Sequence, residues 1–334
     1  MGTAKGATRT CAIAFLASCS LLVILLGGCE NPTANRPPVA EFSVLPREGY
    51  APLSVLLDAS GTFDPDGHAM IYEWTFEGGE TATGRTIVHS FVEGTHAITL
   101  RATDTQGGVG TATGTVIARA VPDGYVAHHY EWVHSGEPQQ WDVLLPYNLY
   151  QTYRGRLRTP FVDNYDYPAY VVDPLDDPTL AELANVLWNR AAGVPEVFVK
   201  WALSFVQGAI AYALDPPDKE WPLYPIETLY DGAGDCEDTA ILLVGFLRAK
   251  GVSSRLATVD TDDDGTPDHV LVLVQMSADA AAALTCSGGE TLTILELDGN
   301  PFAVAETAVT AGTLGLGCDP WGLSVEDVIE SWAF

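Results

Sequence analysis

Cys236 lies in Gly232-Ala-Gly-Asp-Cys-Glu-Asp238, a glycine-rich turn that runs into Ala240–Leu247, a stretch apolar on every face. That pattern predicts a helix in a protein interior with the thiol in its first turn. Lys250 and Gly251 then supply a cationic last turn and a C′ glycine. Unpaired N–H groups and the positive end of the helix dipole favour thiolate over thiol at such a position. The flanking acids Asp235, Glu237 and Asp238 oppose it. Downstream, Asp268-His269 opens Val270-Leu-Val-Leu-Val274, the continuous apolar run of an interior strand. A second run, Thr291 to Asp298, ends on two carboxylates, Glu296 and Asp298. Cysteine, histidine and a carboxylate are the equipment of thiol acyl transfer. The imidazole takes the thiol proton and later protonates the leaving group, while the carboxylate fixes the ring.

Residues from about 125 to the C-terminus resemble the transglutaminase-like superfamily, which is papain-like in fold. The resemblance rests on Glu227-Thr-Leu229, Gly232, Gly234, Asp235, Cys236, Glu237, Asp238 and Ala240, and upstream on Trp201 to Gln207, Tyr212 and Asp215. It implies Cys236 as nucleophile and His269 as general base. Glu296 or Asp298 would complete the set: Leu295-Glu-Leu-Asp-Gly299 resembles an ending seen in close relatives and favours Glu296, whereas the Leu-Asp ending of other members selects Asp298. The Cys236 backbone N–H would meet the oxyanion, with Trp201 or Gln207 as a side-chain donor. The substrate implied is a protein or peptide, with amide hydrolysis favoured over cross-linking because no glutamine-donor or amine-acceptor pocket can be identified. The alternative is a catalytically silent, surface-tethered binding or scaffold protein.

The N-terminus sets the address. Lys5 and Arg9 precede an apolar run from Cys11 to Leu26, and no acid occurs before Glu30. This is a secretory signal, and Leu25-Leu-Gly-Gly-Cys29 resembles a bacterial lipobox. Residues 1–28 are then a signal peptide, Cys29 is lipidated, and 29–36 form a proline-rich tether. The expected location is exported and lipid-anchored, at the cell surface or outer membrane, with membrane contact through the lipid only. In that oxidising setting Cys286 and Cys318 are expected either to form a disulfide or to remain two free loop thiols. With 16 basic against 44 acidic residues and a net charge of −28, general binding to nucleic acid or anionic membranes is excluded. An apolar fraction of 47% separates the chain from acidic disordered sequences.

Between residues 37 and 119, short alternating runs separated by turn signals predict an all-β sandwich. Ala51-Pro-Leu-Ser-Val55, Asp58-Ala-Ser60, Phe63-Asp-Pro-Asp-Gly67, Tyr72-Glu-Trp-Thr-Phe76 and Leu100-Arg-Ala-Thr-Asp104 resemble the PKD domain. That resemblance implies an Ig-like extracellular spacer or a module for a cell-surface ligand, with Trp74 in its core. The expected fold class is thus multidomain: a PKD-like sandwich, then an α+β transglutaminase-like domain over 121–334 with its core at about 195–300. His128, His129 and His134 lack metal-ligand spacing and read as structural or solvent-facing.

No cofactor is required by this chemistry. Asp260, Asp262, Asp264 and Asp268 nonetheless fall at positions one, three, five and nine of a calcium-type loop with Gly265 at six. Leu271 stands where an EF-hand has its bidentate glutamate. Calcium there would stiffen the turn presenting His269; the other reading is a solvated acidic hairpin.

Overall fold

Along Leu53–Asp58 buried and exposed positions alternate without a break, the signature of a strand with one face on a core. A computed structural model of the protein describes residues 34–158, 166–215, 221–286, 290–309 and 314–334. The expected signal peptide and Cys29 lie outside the described residues. The chain divides into two compact units: residues up to 43 with 58–86 and 99–113, and residues 44–57 and 87–98 with everything from 114 onward.

The N-terminal region is a β-sandwich with one three-stranded and one five-stranded sheet. In the first unit, Met70–Phe76 pairs antiparallel with Thr81–Thr83. Trp74 is fully buried, donates its indole N–H to the Gly84 carbonyl at 2.8 Å and meets Phe42 edge-on at 5.1 Å. The expectation that it is core holds.

In the second unit, Tyr125–His134 and Glu137–Pro146 form an antiparallel hairpin. Its two-residue turn, Ser135-Gly136, places both residues at positive φ, 53° and 83°, as a tight hairpin matching the strand twist requires. Trp132 and Trp141 of the hairpin pack on Phe205 of helix Pro195–Ala209, at ring distances of 5.2 and 5.0 Å. His129 pairs with Asp142 at 2.6 Å, and His134 bonds Ser204 Oγ at 2.8 Å.

The helix carrying the cysteine, Cys236–Ala249, is buried from Glu237 through Leu247. It lies against a five-stranded antiparallel sheet ordered Ile294–Leu297, Asn300–Ala305, His269–Gln275, Ser254–Val259 and Val328–Ala333. The histidine strand is apolar from Val270 to Val274 because both of its faces are covered. Val270, Val272 and Val274 join the core around the helix, whereas Leu271 and Leu273 join a second core with Leu295, Phe302 and Leu323. Burial of this kind contributes about 1.5–3 kcal/mol per large apolar side chain, so the sheet centre and the helix form one cooperative body. Among the described residues, no helix is long and apolar enough to cross a membrane.

Candidate active site

The two glycines before the cysteine do different work. Gly232 ends helix Pro225–Asp231 in the left-handed region, φ 66°, where a side chain is strained. Gly234 has no room for one, since a Cβ there would meet Asp238 Cβ at 2.6 Å. Asp238 reaches back to accept the Asp235 N–H at 3.3 Å and the Leu223 N–H at 2.6 Å. Asp235 occupies the N-cap, and Cys236 is the first helical residue. The predicted placement of the thiol at a helix N-terminus is the one observed.

His269 begins its strand opposite Val259 and lines the same cleft as Cys236, whose sulfur acts on the imidazole. Its Nε2 lies 2.8 Å from Glu306 Oε2, in a pair whose side chains are 10% and 1% exposed. With Nε2 on the glutamate, Nδ1 is the nitrogen left for the sulfur. Burial alone would lower the imidazole pKa, but the hydrogen bonds to Cys236 and Glu306, and their charges, hold it up at about 10.

The carboxylate bonded to the imidazole is therefore neither Glu296 nor Asp298. Glu296 is exposed on the edge strand Ile294–Leu297, and Asp298 is exposed in a turn, paired with Arg255. The run Thr291–Asp298 is not one strand leading into the site: Thr291–Leu292 and Ile294–Leu297 belong to different sheets. Asn300–Ala305 is the strand that pairs with the histidine strand, and Glu306 follows its last residue.

Glu306 is fixed from three directions. Its Oε1 accepts the Ala308 N–H at 2.6 Å, and its carbonyl accepts a hydrogen from Gln207 Nε2 at 2.7 Å. The neighbouring Thr307 hydroxyl lies 2.9 Å from that of Thr239, which itself donates to the Asp235 carbonyl at 2.7 Å. Gln207 is thus committed behind the glutamate, bonding the Leu314 carbonyl as well, at 3.1 Å. Trp201 stacks on His134 at 3.8 Å. Neither lines the cleft around Cys236, so neither of the two side chains expected as oxyanion donors is placed to act as one.

That cleft encloses about 370 Å3 and is lined by Tyr212, Asp235, Cys236, Glu237, Asp268 and His269, among others. Tyr212 sits beside Gly234 through the short parallel pairing of Ala211–Tyr212 with Ala233–Gly234. Burial first, then the neighbouring Cys236, Asp235 and Glu237, push its phenol up to about 12. Trp321 lies over the imidazole, with ring centroids 4.7 Å apart. Cys286 and Cys318 form a disulfide with Cα atoms 5.5 Å apart, three residues before that tryptophan.

The acids beside the thiol are not the charges they seem in the sequence. Glu237 is 1% exposed and Asp238 is 2% exposed. Burial, with the Asp235 hydrogen bond at Glu237 and the Asp235 charge at Asp238, drives both far above the usual carboxylate range. A neutral Glu237, whose Oε2 lies 3.4 Å from Cys236 Sγ, adds little repulsion to a thiolate.

In the 260–268 loop, Asp260, Asp262 and Asp264 bring ligand atoms within 4.8 Å of one another. Asp268 does not join them: it caps the loop by accepting the Thr261 N–H at 2.9 Å and its hydroxyl at 2.7 Å. Both Asp260 oxygens already take amide hydrogens, from Asp262, Asp264 and Gly265. The turn presenting His269 closes on its own amides.

Residues 35–118 match the PKD domain family, and residues 190–288 match the transglutaminase-like superfamily. The chain carries a PKD domain followed by a transglutaminase-like domain. In chain order, a β-sandwich PKD-like region is followed by an α/β transglutaminase-like domain. The PKD1 domain of Vibrio anguillarum Epp is 26% identical, covering 26% of this chain and 99% of that one, with a TM-score of 0.23. A putative cysteine protease from Cytophaga hutchinsonii is 14% identical, covering 90% and 78%, with a TM-score of 0.28. A structure of β-sandwich carbohydrate-binding modules is 22% identical over 32% of this chain, with a TM-score of 0.25, and the chain spans about half of it, 53%. No curated protein matches the chain.

Proposed function

We propose that the transglutaminase-like domain is a thiol acyl-transfer enzyme that cleaves peptide or isopeptide amide bonds. The observation that carries this is Cys236 and His269 lining one cleft, with Glu306 2.8 Å from the imidazole Nε2. His269 Nδ1 takes the sulfur's proton while Glu306 holds the ring through Nε2 and stabilises its positive charge. The thiolate attacks the amide carbon, and the oxyanion that forms is met by the Cys236 N–H at the helix N-terminus. The imidazolium returns its proton to the leaving amine, giving a thioester. His269 then draws a proton from water, which displaces the sulfur and releases the acid. Hydrolysis is favoured over cross-linking because this sequence of steps needs no second organic substrate. The PKD domain serves as spacer or as a module for a cell-surface ligand, on an exported chain anchored through a lipid on Cys29.

Labelling with an iodoacetamide-type probe across pH tests the reading. Rapid labelling of Cys236 near neutral pH that falls in His269→Ala supports it; slow, His269-independent labelling supports a catalytically silent scaffold instead.

A further inference from the structure

A second pocket, sharing no lining residue with the cleft around Cys236, encloses about 240 Å3. One wall is a single face of helix Pro195–Ala209, with Lys200, Leu203, Ser204 and Gln207 at helical i, i+3, i+4, i+7 spacing. The end of the Tyr125–His134 strand and residues 283–285 and 314–316 supply the rest. Cys286 directly follows the first of those two segments, and Cys318 stands two residues past the second. The disulfide therefore ties these two walls to each other.

The polar groups of this pocket are unevenly satisfied. Ser204 gives its hydroxyl hydrogen to the Trp201 carbonyl at 3.1 Å, so His134 Nδ1, 2.8 Å from Ser204 Oγ, is the donor in that pair. Burial first, then the Lys200 charge, hold the His134 pKa below its ordinary value. Gln207 is 6% exposed. Both hydrogens on its amide nitrogen go to carbonyls, of Glu306 at 2.7 Å and Leu314 at 3.1 Å, which fixes the orientation of the amide. Its Oε1 is left buried with no hydrogen-bond donor among the described residues. A buried acceptor in that state favours a ligand that brings a donor. Among the described residues no carboxylate lines the pocket, and Lys200 is its standing positive charge, in a chain of net charge −28.

We propose that this pocket binds the C-terminal residue of a peptide, its carboxylate on Lys200 and its amide N–H on Gln207 Oε1. A cation with no acid beside it selects an anionic group. A buried neutral acceptor selects a neutral N–H. A free amino acid would instead bring its own ammonium group up to Lys200, where like charges repel. Lys200 and Gln207 are seven residues apart, about 10 Å along the helix axis. A carboxylate and an N–H on one residue, each making one hydrogen bond, bridge two long side chains over that span.

Full-length Cys236→Ala protein, which cannot turn a peptide over by the thiol route, is titrated with N-acetylalanine and followed by ligand-observed NMR. N-acetylalanine amide removes the negative charge, N-acetyl-N-methylalanine removes the N–H, and free alanine carries the ammonium group. We expect millimolar binding of N-acetylalanine and at least about tenfold weaker binding of the other three. Lys200→Gln, at an exposed position, should weaken N-acetylalanine binding by a similar factor with little change in melting temperature. Ala283→Phe, also at an exposed position on the rim, should block it. No saturable binding of N-acetylalanine at ~10 mM, equal binding of any of the other three compounds, or unchanged binding in both Lys200→Gln and Ala283→Phe overturns the proposal. Failure of the proposed enzyme chemistry would leave this binding untouched, so the two readings fail separately.

Discussion

His269 Nε2 and Glu306 Oε2 stand 2.8 Å apart in a nearly closed environment, the glutamate side chain only 1% exposed. A buried carboxylate with one oxygen on an imidazole and the other on the Ala308 amide is held in one orientation. It orients the ring and balances its charge.

Glu306→Ala should therefore slow both alkylation of Cys236 and turnover of a cleaved peptide, the latter by about 10²- to 10⁴-fold. Glu296→Gln and Asp298→Asn should leave both within about twofold, because these side chains are exposed and removed from the imidazole. Rates measured on the three variants side by side decide between the carboxylates.

The pH dependence of stability follows from the same pair. The folded His269 pKa is raised to about 10 from an ordinary 6.5, so the folded state binds the proton more tightly than the unfolded one. Its contribution is fully present below pH ~6.5 and is lost as pH rises through about 10. Melting temperatures recorded from pH 6 to 10 should fall more steeply for the wild type than for His269→Gln. Parallel curves would rule out a raised imidazole.

Gln207 bonds the Glu306 carbonyl and does not line the cleft around Cys236. Gln207→Leu leaves the carbonyls of Glu306 and Leu314 without their donor and should cost about 1–3 kcal/mol of stability. Its alkylation profile should move along the pH axis, which a purely structural lesion would not cause. Gln207→Glu, protonated at low pH, should recover part of the wild-type rate there only.

Closing a 32-residue separation, the Cys286–Cys318 disulfide should stabilise the protein by about 3–4 kcal/mol in the chain-entropy account. Cys318→Ser should lower the denaturant midpoint accordingly. Trp321→Ala should change Cys236 reactivity while leaving that midpoint nearly unchanged, since the indole is 41% exposed.

How much of this the sequence disclosed depends on where the information lies. Cys236 and His269 were legible because local patterns announce them: a glycine pair before an all-apolar helix, and an apolar run with no alternation. Each glycine has a local cause that one residue type satisfies, φ 66° at Gly232 and the approach of Asp238 at Gly234. The alternating strands around Trp74 announced the sandwich in the same way. Glu306 was missed because its role depends on which strand pairs with the histidine strand, and pairing is a long-range choice that period-two patterns do not encode. The available signal was Phe302-Ala-Val-Ala305, an apolar run ending directly in Glu306-Thr307. Gln207 was noticed but given the wrong task, because a helix position does not reveal which carbonyl its amide will find.

The tryptophan over the imidazole is delivered by a segment held through a cystine, whereas Cys236 is a free thiol. The dithiothreitol routinely added to protect a reactive sulfur would here also cut the strap that keeps the indole in place. Purification in a reducing buffer could then yield protein that is intact, fully reduced and wrongly shaped at its rim.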